Sequence, residues 1–358
     1  LNWRLVAIPA SVVPFIILFL TTNVSPQDVF AVGLVPFVAS AAAGIVRIML
    51  QAYRFKYFIK RFIGYDVAST GKTISARLAG EFVTQTTPSY VGGELVRIAW
   101  LSRNRVPPGR AAWVATMEII ADVFVGSILS FIAGAFAIYK GGTVVGIAVI
   151  LVTIPTFGVW LALVLFSAKR NLRLPHFSKK IAEKFLSKEK AENLINSANS
   201  AIADLCKMSR ENFNSKRSIK TFAIGMAITL VSFFFYGISF MVLANAVGSD
   251  ISFFDSVMAT AASNSLAALP ITIGGSGLAE LGIWAYISNL SGIPTLNEVV
   301  NDDQLKVIIA WRIATYHVPL VIMWVALMRL AIGRVSAASL SQQPSGENKP
   351  EDGSGTTK

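Results

Sequence analysis

The feature that most constrains this chain is the length of its uncharged apolar runs. Leu5–Gln27, Val29–Val46, Val123–Tyr139, Gly141–Ala168 and Thr221–Gly248 carry no Asp, Glu, Lys or Arg, and Val307–Met328 is interrupted only by Arg312. Ala111–Met117 lengthens the third run on its N-terminal side, around two acids. A helix needs about 20 apolar residues to cross about 30 Å of hydrocarbon. The runs are continuously apolar and do not alternate, which fits helices rather than the strands of a membrane barrel. Only 15% of the residues are charged, against about 25% in an ordinary soluble domain. These properties exclude a disordered chain, a disulfide-rich module and a typical soluble enzyme.

Two more apolar regions are broken. Thr73–Leu101 contains Pro88 and Gly92-Gly93; Phe253–Leu290 contains Pro270, Gly274-Gly275 and Gly277. Pro and Gly end helices locally, and an arm such as Thr73–Thr87 reaches roughly 22 Å at about 1.5 Å per residue, too short to cross. The expected fold is therefore an all-α polytopic membrane protein with about six full transmembrane helices and two re-entrant or broken helical hairpins.

The net charge of +12 records topology rather than nucleic-acid binding. Six Lys/Arg lie in 51–77, three in 103–110 and thirteen in 168–220, whereas 22–30, 248–256 and 288–304 have none. The positive-inside rule places the N-terminus, both basic loops and the C-terminus in the cytoplasm of a plasma-membrane protein. The first hairpin then enters from inside and the second from outside. The sequons at Asn23 and Asn289 fall in the external loops. Residues 1–334 form the membrane domain. Within it, 170–217 is a basic loop with apolar residues at helical spacing (Ile181, Phe185, Ala191, Leu194, Ile195, Leu205). It reads either as an amphipathic element on the anionic leaflet or as a connector packed on the bundle, and it is a candidate docking site for a cytosolic or membrane partner. Residues 335–358 read as a disordered tail.

The two breaks resemble each other. Pro88-x3-Gly92-Gly93 recurs 182 residues later as Pro270-x3-Gly274-Gly275, and an acid followed by Leu comes after each, Glu94-Leu95 and Glu280-Leu281. Broken elements in corresponding halves, entering from opposite faces, point to a transporter built on an inverted repeat.

Ionisable groups at membrane depth are costly and usually functional. They are Glu81, Glu94, Arg97, Glu118, Asp122, Glu280 and Arg312, the last one turn before Tyr316. Glu94 and Arg97 are spaced to pair on one helix face, as are Glu118 and Asp122 as neighbours. Arg97 and Arg312 are candidates to meet a phosphate, and the carboxylates to hold a cationic head group or a coupling proton. An equally simple reading makes them internal ion pairs, Arg312 with Glu118 or Asp122 among them. There is no Walker A loop, HExxH, GxSxG or CxxC. With one cysteine, Cys206, and two histidines, His176 and His317, no metal or cofactor is expected.

Taken in order, Pro88…Gly92-Gly93-Glu94…Arg97, Glu118…Asp122, Pro270…Gly274-Gly275-Ser-Gly277…Glu280 and Arg312…Tyr316 resemble the flippase-like family named for the transmembrane region of lysylphosphatidylglycerol synthases. The resemblance covers most of residues 1–333. It implies a multi-pass domain that moves a phospholipid or polyprenyl-linked lipid across the bilayer. Gly92, Gly93, Glu94 and Arg97 match the family's Gly-Gly-Glu…Arg, and Glu118 and Asp122 its Glu-Arg-x-x-Asp, with Ile119 where that pattern has Arg. The synthases' soluble aminoacyl-transferase domain would follow the last span, where this sequence has about 25 polar residues, so synthesis of the aminoacylated lipid is not expected of this chain. The function expected is lipid translocation. The alternative is a membrane-embedded enzyme or accessory subunit in lipid-linked glycosylation or lipid modification, using Glu118 and Asp122 as its acids.

Overall fold

The computed structural model describes residues 31–87, 92–169, 187–269, 274–288 and 301–341, with isolated positions at 27, 175, 177–179 and 183. The first expected span, Leu5–Gln27, lies outside these residues apart from Gln27, as do both sequons, Pro88 and Pro270.

The described elements are α-helical: α1 Leu34–Phe58, α2 Thr70–Gln85, α3 Gly93–Arg103, α4 Pro108–Tyr139, α5 Thr143–Lys169, α6 Lys188–Phe213, α7 Lys216–Ala246, α8 Phe253–Ala267, α9 Leu278–Ser288, α10 Asn301–Arg312 and α11 Val318–Ser341. π-helical turns extend α1 through Ile59–Ile63 and join α10 to α11 through Ile313–His317. Five helices among the described residues are long and apolar enough to span a bilayer: Leu34–Ile63, Pro108–Tyr139, Thr143–Ser167, Lys216–Ala246 and Leu305–Leu330. The chain is a multi-pass membrane protein. α5 carries its apolar side chains outward, with Leu151, Ile154, Val159, Leu163 and Phe166 exposed; that is the surface a helix presents to lipid.

The broken regions form two helical hairpins with matching arms, α2–α3 of 16 and 11 residues and α8–α9 of 15 and 11. Each second arm starts in the same way. Gly92 has φ +117° and its N–H donates to both carboxylate oxygens of Glu94 at 3.1 Å. Gly277 has φ +83° and its N–H donates to Glu280 at 2.8 Å. Glycine takes the left-handed conformation without a Cβ clash, and the carboxylate satisfies a donor that no helical turn can. The arms of the first hairpin touch backbone to backbone: a Cβ on Gly93 would collide with the Gly80 carbonyl and the Thr84 hydroxyl.

α4 shows how the hairpins are set against each other. It runs 32 residues, about 48 Å at about 1.5 Å per residue. Its first half receives α2–α3 through Glu118, which faces Arg77 and Arg97. Its second half receives α8–α9: Ser130 donates to the Ala261 carbonyl at 2.9 Å, Tyr286 donates to the Ala133 carbonyl at 3.2 Å, and Phe136 meets Phe254 edge-on. The first hairpin is rooted where α3 leads into the start of α4, and the second beside the end of α4. They are opposed, and their tips meet halfway, where a Cβ on Gly274 would lie 2.6 Å from the Gln85 carbonyl oxygen. Each hairpin has its own apolar core, one around Trp311, Phe240 and Tyr286 and one around Trp113, Phe55 and Leu101.

Two expectations are corrected, and a third, left open between two readings, is narrowed to one of them. The second span does not stop at Arg47. α1 continues for three more turns because Arg47, Gln51 and Arg54 recur at i, i+4 and i+7 and lie on one face, where Gln51 and Arg54 are buried in the bundle. The last helix runs to Ser341, seven residues into the expected tail, through the helix-compatible Val335-Ser-Ala-Ala-Ser-Leu340; residues 342–358 lie outside the description. The basic loop contains α6, which packs on the bundle: Leu205, Met208 and Phe213 join the core around Trp113, and Phe213 stacks edge-on to that indole at 5.6 Å. The described part of the loop is thus a packed connector.

Candidate functional site

A cavity of about 390 Å³, lined by many polar side chains, opens at the level where the hairpin tips meet. Its wall has two parts. Arg47 and Gln51 from α1, Arg77, Glu81 and Gln85 from α2, Glu94 and Arg97 from α3 and Asp122 from α4 form a charged side. Ser127 and Ser130 of α4, Thr153 and Thr156 of α5, and Asn264 and Ser265 of α8 form an uncharged, hydroxyl- and amide-rich side, with Trp160 and Phe233 adding aromatic surface. A charged group at the centre of an apolar helix costs about 2.5–3.5 kcal/mol on insertion scales. This concentration of polar groups at the midpoint of α4 makes the cavity the candidate functional site.

The charges are organised around Glu118, which is fully buried. One carboxylate serves three guanidinium groups: Oε1 lies 3.2 Å from Arg77 Nε and 3.4 Å from Arg54 Nη2, and Oε2 lies 3.4 Å from Arg97 Nε. One turn on, Asp122 takes a two-pronged pair from Arg54, with Nη1–Oδ1 at 2.6 Å and Nη2–Oδ2 at 2.8 Å. Arg54 also donates to the Thr229 hydroxyl, tying α1 to α7. Arg77 pairs with Glu81, whose other oxygen accepts from the Gln85 amide at 2.9 Å. Buried charges persist when paired and hydrogen-bonded, and Arg54, Arg77, Glu81, Glu118 and Asp122 meet that condition.

A second cluster lies outside the cavity wall and joins the hairpin tips. Arg312, placed at the start of the π turn, pairs with Glu280 at 2.9 Å and donates to the Gly274 carbonyl. Its guanidinium carbon sits 4.1 Å from the centre of the Tyr316 ring. The Tyr316 hydroxyl donates to the Gln85 carbonyl at 2.8 Å. The last span thus holds the tip of α8–α9 with one side chain and the end of α2 with the next.

Of the residues expected at the site, Glu81, Glu94, Arg97 and Asp122 line the cavity and Glu118 lies directly behind. Gly92 and Gly93 shape the start of α3. Gly274, Gly275, Gly277, Glu280, Arg312 and Tyr316 belong to the tip cluster. Pro88 and Pro270 lie outside the described residues. Two expected pairings are corrected. Glu94 does not pair with Arg97: its carboxylate turns back to the Gly92 N–H, while Arg97 projects towards α4 and Glu118. Arg312 does not pair with Glu118 or Asp122, because Arg54, Arg77 and Arg97 occupy those acids and Glu280 lies beside it. Sequence reasoning missed Arg47, Gln51 and Arg54. Their polar stripe at i, i+4 and i+7 along a largely apolar helix was the available signal.

Among the described residues, no three His, Cys, Asp or Glu side chains converge as metal ligands. A UPF0104 membrane protein of Archaeoglobus fulgidus is 27% identical over 277 residues, covering 75% of this chain and 78% of the relative. The lysylphosphatidylglycerol synthase TM region matches residues 6–322, and the chain belongs to that family.

Proposed function

We propose that this protein is a lipid translocase that carries the head group of a phospholipid or polyprenyl-linked lipid across the plasma membrane, with both termini cytoplasmic. The observation that carries this reading is the place of the cavity: a charged and hydroxyl-lined chamber at the meeting point of two opposed, broken hairpins, halfway along a spanning helix. Discontinuous helices meeting near the midplane are how transporters expose polar groups at depth without leaving backbone in lipid. Alternating access then corresponds to each hairpin shifting in turn against α4, while the acyl chains remain in the bilayer. A membrane-embedded transferase would need an unencumbered acid, and Glu118 and Asp122 are both engaged by arginines.

Filling the chamber tests the reading. A Cβ on Gly126 would already lie 3.3 Å from the Phe233 ring and 3.9 Å from the Asn264 amide, so Gly126→Leu projects into the cavity. In proteoliposomes with fluorescent phospholipids and a membrane-impermeant quencher, the wild-type protein should accelerate lipid exchange between leaflets and Gly126→Leu should not. Undiminished exchange by a folded Gly126→Leu variant would remove the cavity from the transport path.

A further inference from the structure

The cavity's ion pairs leave an asymmetry. Two acids on its wall are paired with arginine, Asp122 by both prongs of Arg54 and Glu81 by Arg77 and Gln85, and Glu94 accepts from the Gly92 N–H. Two arginines on the same wall have donors left over. Arg97 is only 4% exposed, yet among the described residues its guanidinium makes no hydrogen bond. Its one charged contact is the 3.4 Å approach of Nε to a carboxylate already shared with two other arginines. Arg47, partly exposed, has neither an acidic partner nor a hydrogen bond among the described residues; its guanidinium carbon lies 3.7 Å from the centre of the Tyr236 ring. A cation over an aromatic face keeps its N–H donors available to a further acceptor. Beside them Gln51, 7% exposed and facing the same chamber, has no hydrogen-bond partner among the described residues, and neither has Asn264 across from it.

A guanidinium presents five donors and no acceptor, and for the buried Arg97 leaving them unused costs free energy unless a ligand or water takes them. Two such forks on one wall match a phosphate, whose oxygens accept in the planar, paired geometry that arginine offers. The two amides and the hydroxyl side of the chamber suit an uncharged polar moiety, since each can both donate and accept. A cationic group would find Asp122 and Glu81 already paired with arginine, leaving only Glu94 without a cationic partner among the described residues.

We infer that the cavity binds the phosphate of its lipid through Arg47 and Arg97, with Gln51 and Asn264 on the uncharged, hydroxyl-bearing part of the head group. This rests on the translocase reading for the lipid nature of the ligand and extends it to the chemistry of recognition. Phosphate on a glycerolipid and phosphate on a polyprenol share that chemistry, so both are needed as probes.

The experiment is native mass spectrometry of the full chain in detergent, titrated with phosphatidylglycerol, undecaprenyl phosphate or diacylglycerol. At least one phosphate-bearing lipid should bind about tenfold more tightly than diacylglycerol, and Arg47→Gln or Arg97→Gln should each remove about tenfold of that preference. Whichever phosphate lipid binds more tightly identifies the source. Arg47→Gln is the decisive variant, because Arg47 supports no ion pair and its loss leaves the charge network intact; an unchanged melting temperature confirms folding. Equal binding of diacylglycerol and both phosphate lipids, or a preference unchanged in Arg47→Gln, overturns the inference. Phosphate-selective binding without accelerated exchange in proteoliposomes would overturn the translocase reading while leaving the anion site standing. Exchange that is equally fast in wild type and Arg47→Gln would do the reverse.

Discussion

The hydroxyl of Tyr316 donates to the backbone carbonyl of Gln85 at 2.8 Å, so the last span holds the end of the first hairpin's long arm. The same ring lies under Arg312, which grips Gly274 of the second hairpin. The two tips therefore share one latch. Tyr316→Phe removes a single hydrogen bond, worth about 0.5–1.5 kcal/mol, and keeps the ring under Arg312. The melting temperature should barely move, while amide hydrogen exchange around 82–87 should quicken. Unchanged exchange there would mean that packing alone holds the tip.

Arg54 is the keystone of the charge cluster, touching Glu118, Asp122 and Thr229. Breaking a buried pair by removing one member costs about 3–5 kcal/mol, because the other charge is left uncompensated. Arg54→Gln should lower thermal stability sharply. Combining it with Asp122→Asn should recover part of the loss, since the orphaned carboxylate is then neutral. A double mutant whose loss equals the sum of the two single losses would show the pair to be uncoupled.

Gly93 sits where the arms of the first hairpin touch through bare backbone. Gly93→Ala should force α2 and α3 apart, reducing the yield of folded protein and its melting temperature. Gly158 is the matched control: a Cβ there meets nothing within 4 Å, and replacing glycine by alanine inside a helix favours the helix by about 0.8–1.0 kcal/mol. Gly158→Ala should be neutral or stabilising, and similar melting curves for the two variants would argue against close backbone packing in this hairpin.

The proposed orientation rests on the distribution of basic residues and can be tested directly. Cys206 is buried, so single cysteines at exposed positions report sidedness. In right-side-out vesicles, Phe253→Cys at the root of the second hairpin should react with an impermeant maleimide. Tyr65→Cys, near the root of the first, should react only after the membrane is opened. The opposite pattern would invert the topology.

The sequence revealed the parts of this fold that depend on local chemistry. Long apolar runs locate α4, α5 and α7 because burial in hydrocarbon demands them, and the Gly-Gly breaks locate both hairpins because a left-handed residue must start each second arm. It misled where partners come from afar. Arg47 marked the end of an apolar run only because a charge counts against a span when viewed alone. In the bundle, Arg54 is matched by acids 64 and 68 residues away, and the helix continues through both arginines. Glu94 and Arg97 have the spacing of a pair, but a cap and a distant carboxylate compete for them and win. Linear spacing says which side chains share a face, not which element that face meets.

Both hairpins dock on α4, one to each half, and this makes the helix a ruler as well as a wall. One residue inserted between Asp122 and Gly126 would turn one half by about 100° relative to the other, since a helix has about 3.6 residues per turn. Seven inserted residues would restore that phase to within about 20° but push the halves about 10 Å apart at about 1.5 Å per residue, further than Tyr316 can bridge. Phase and separation cannot both be kept, so chain-length variation should be tolerated in the loops between elements and rejected in the middle of α4.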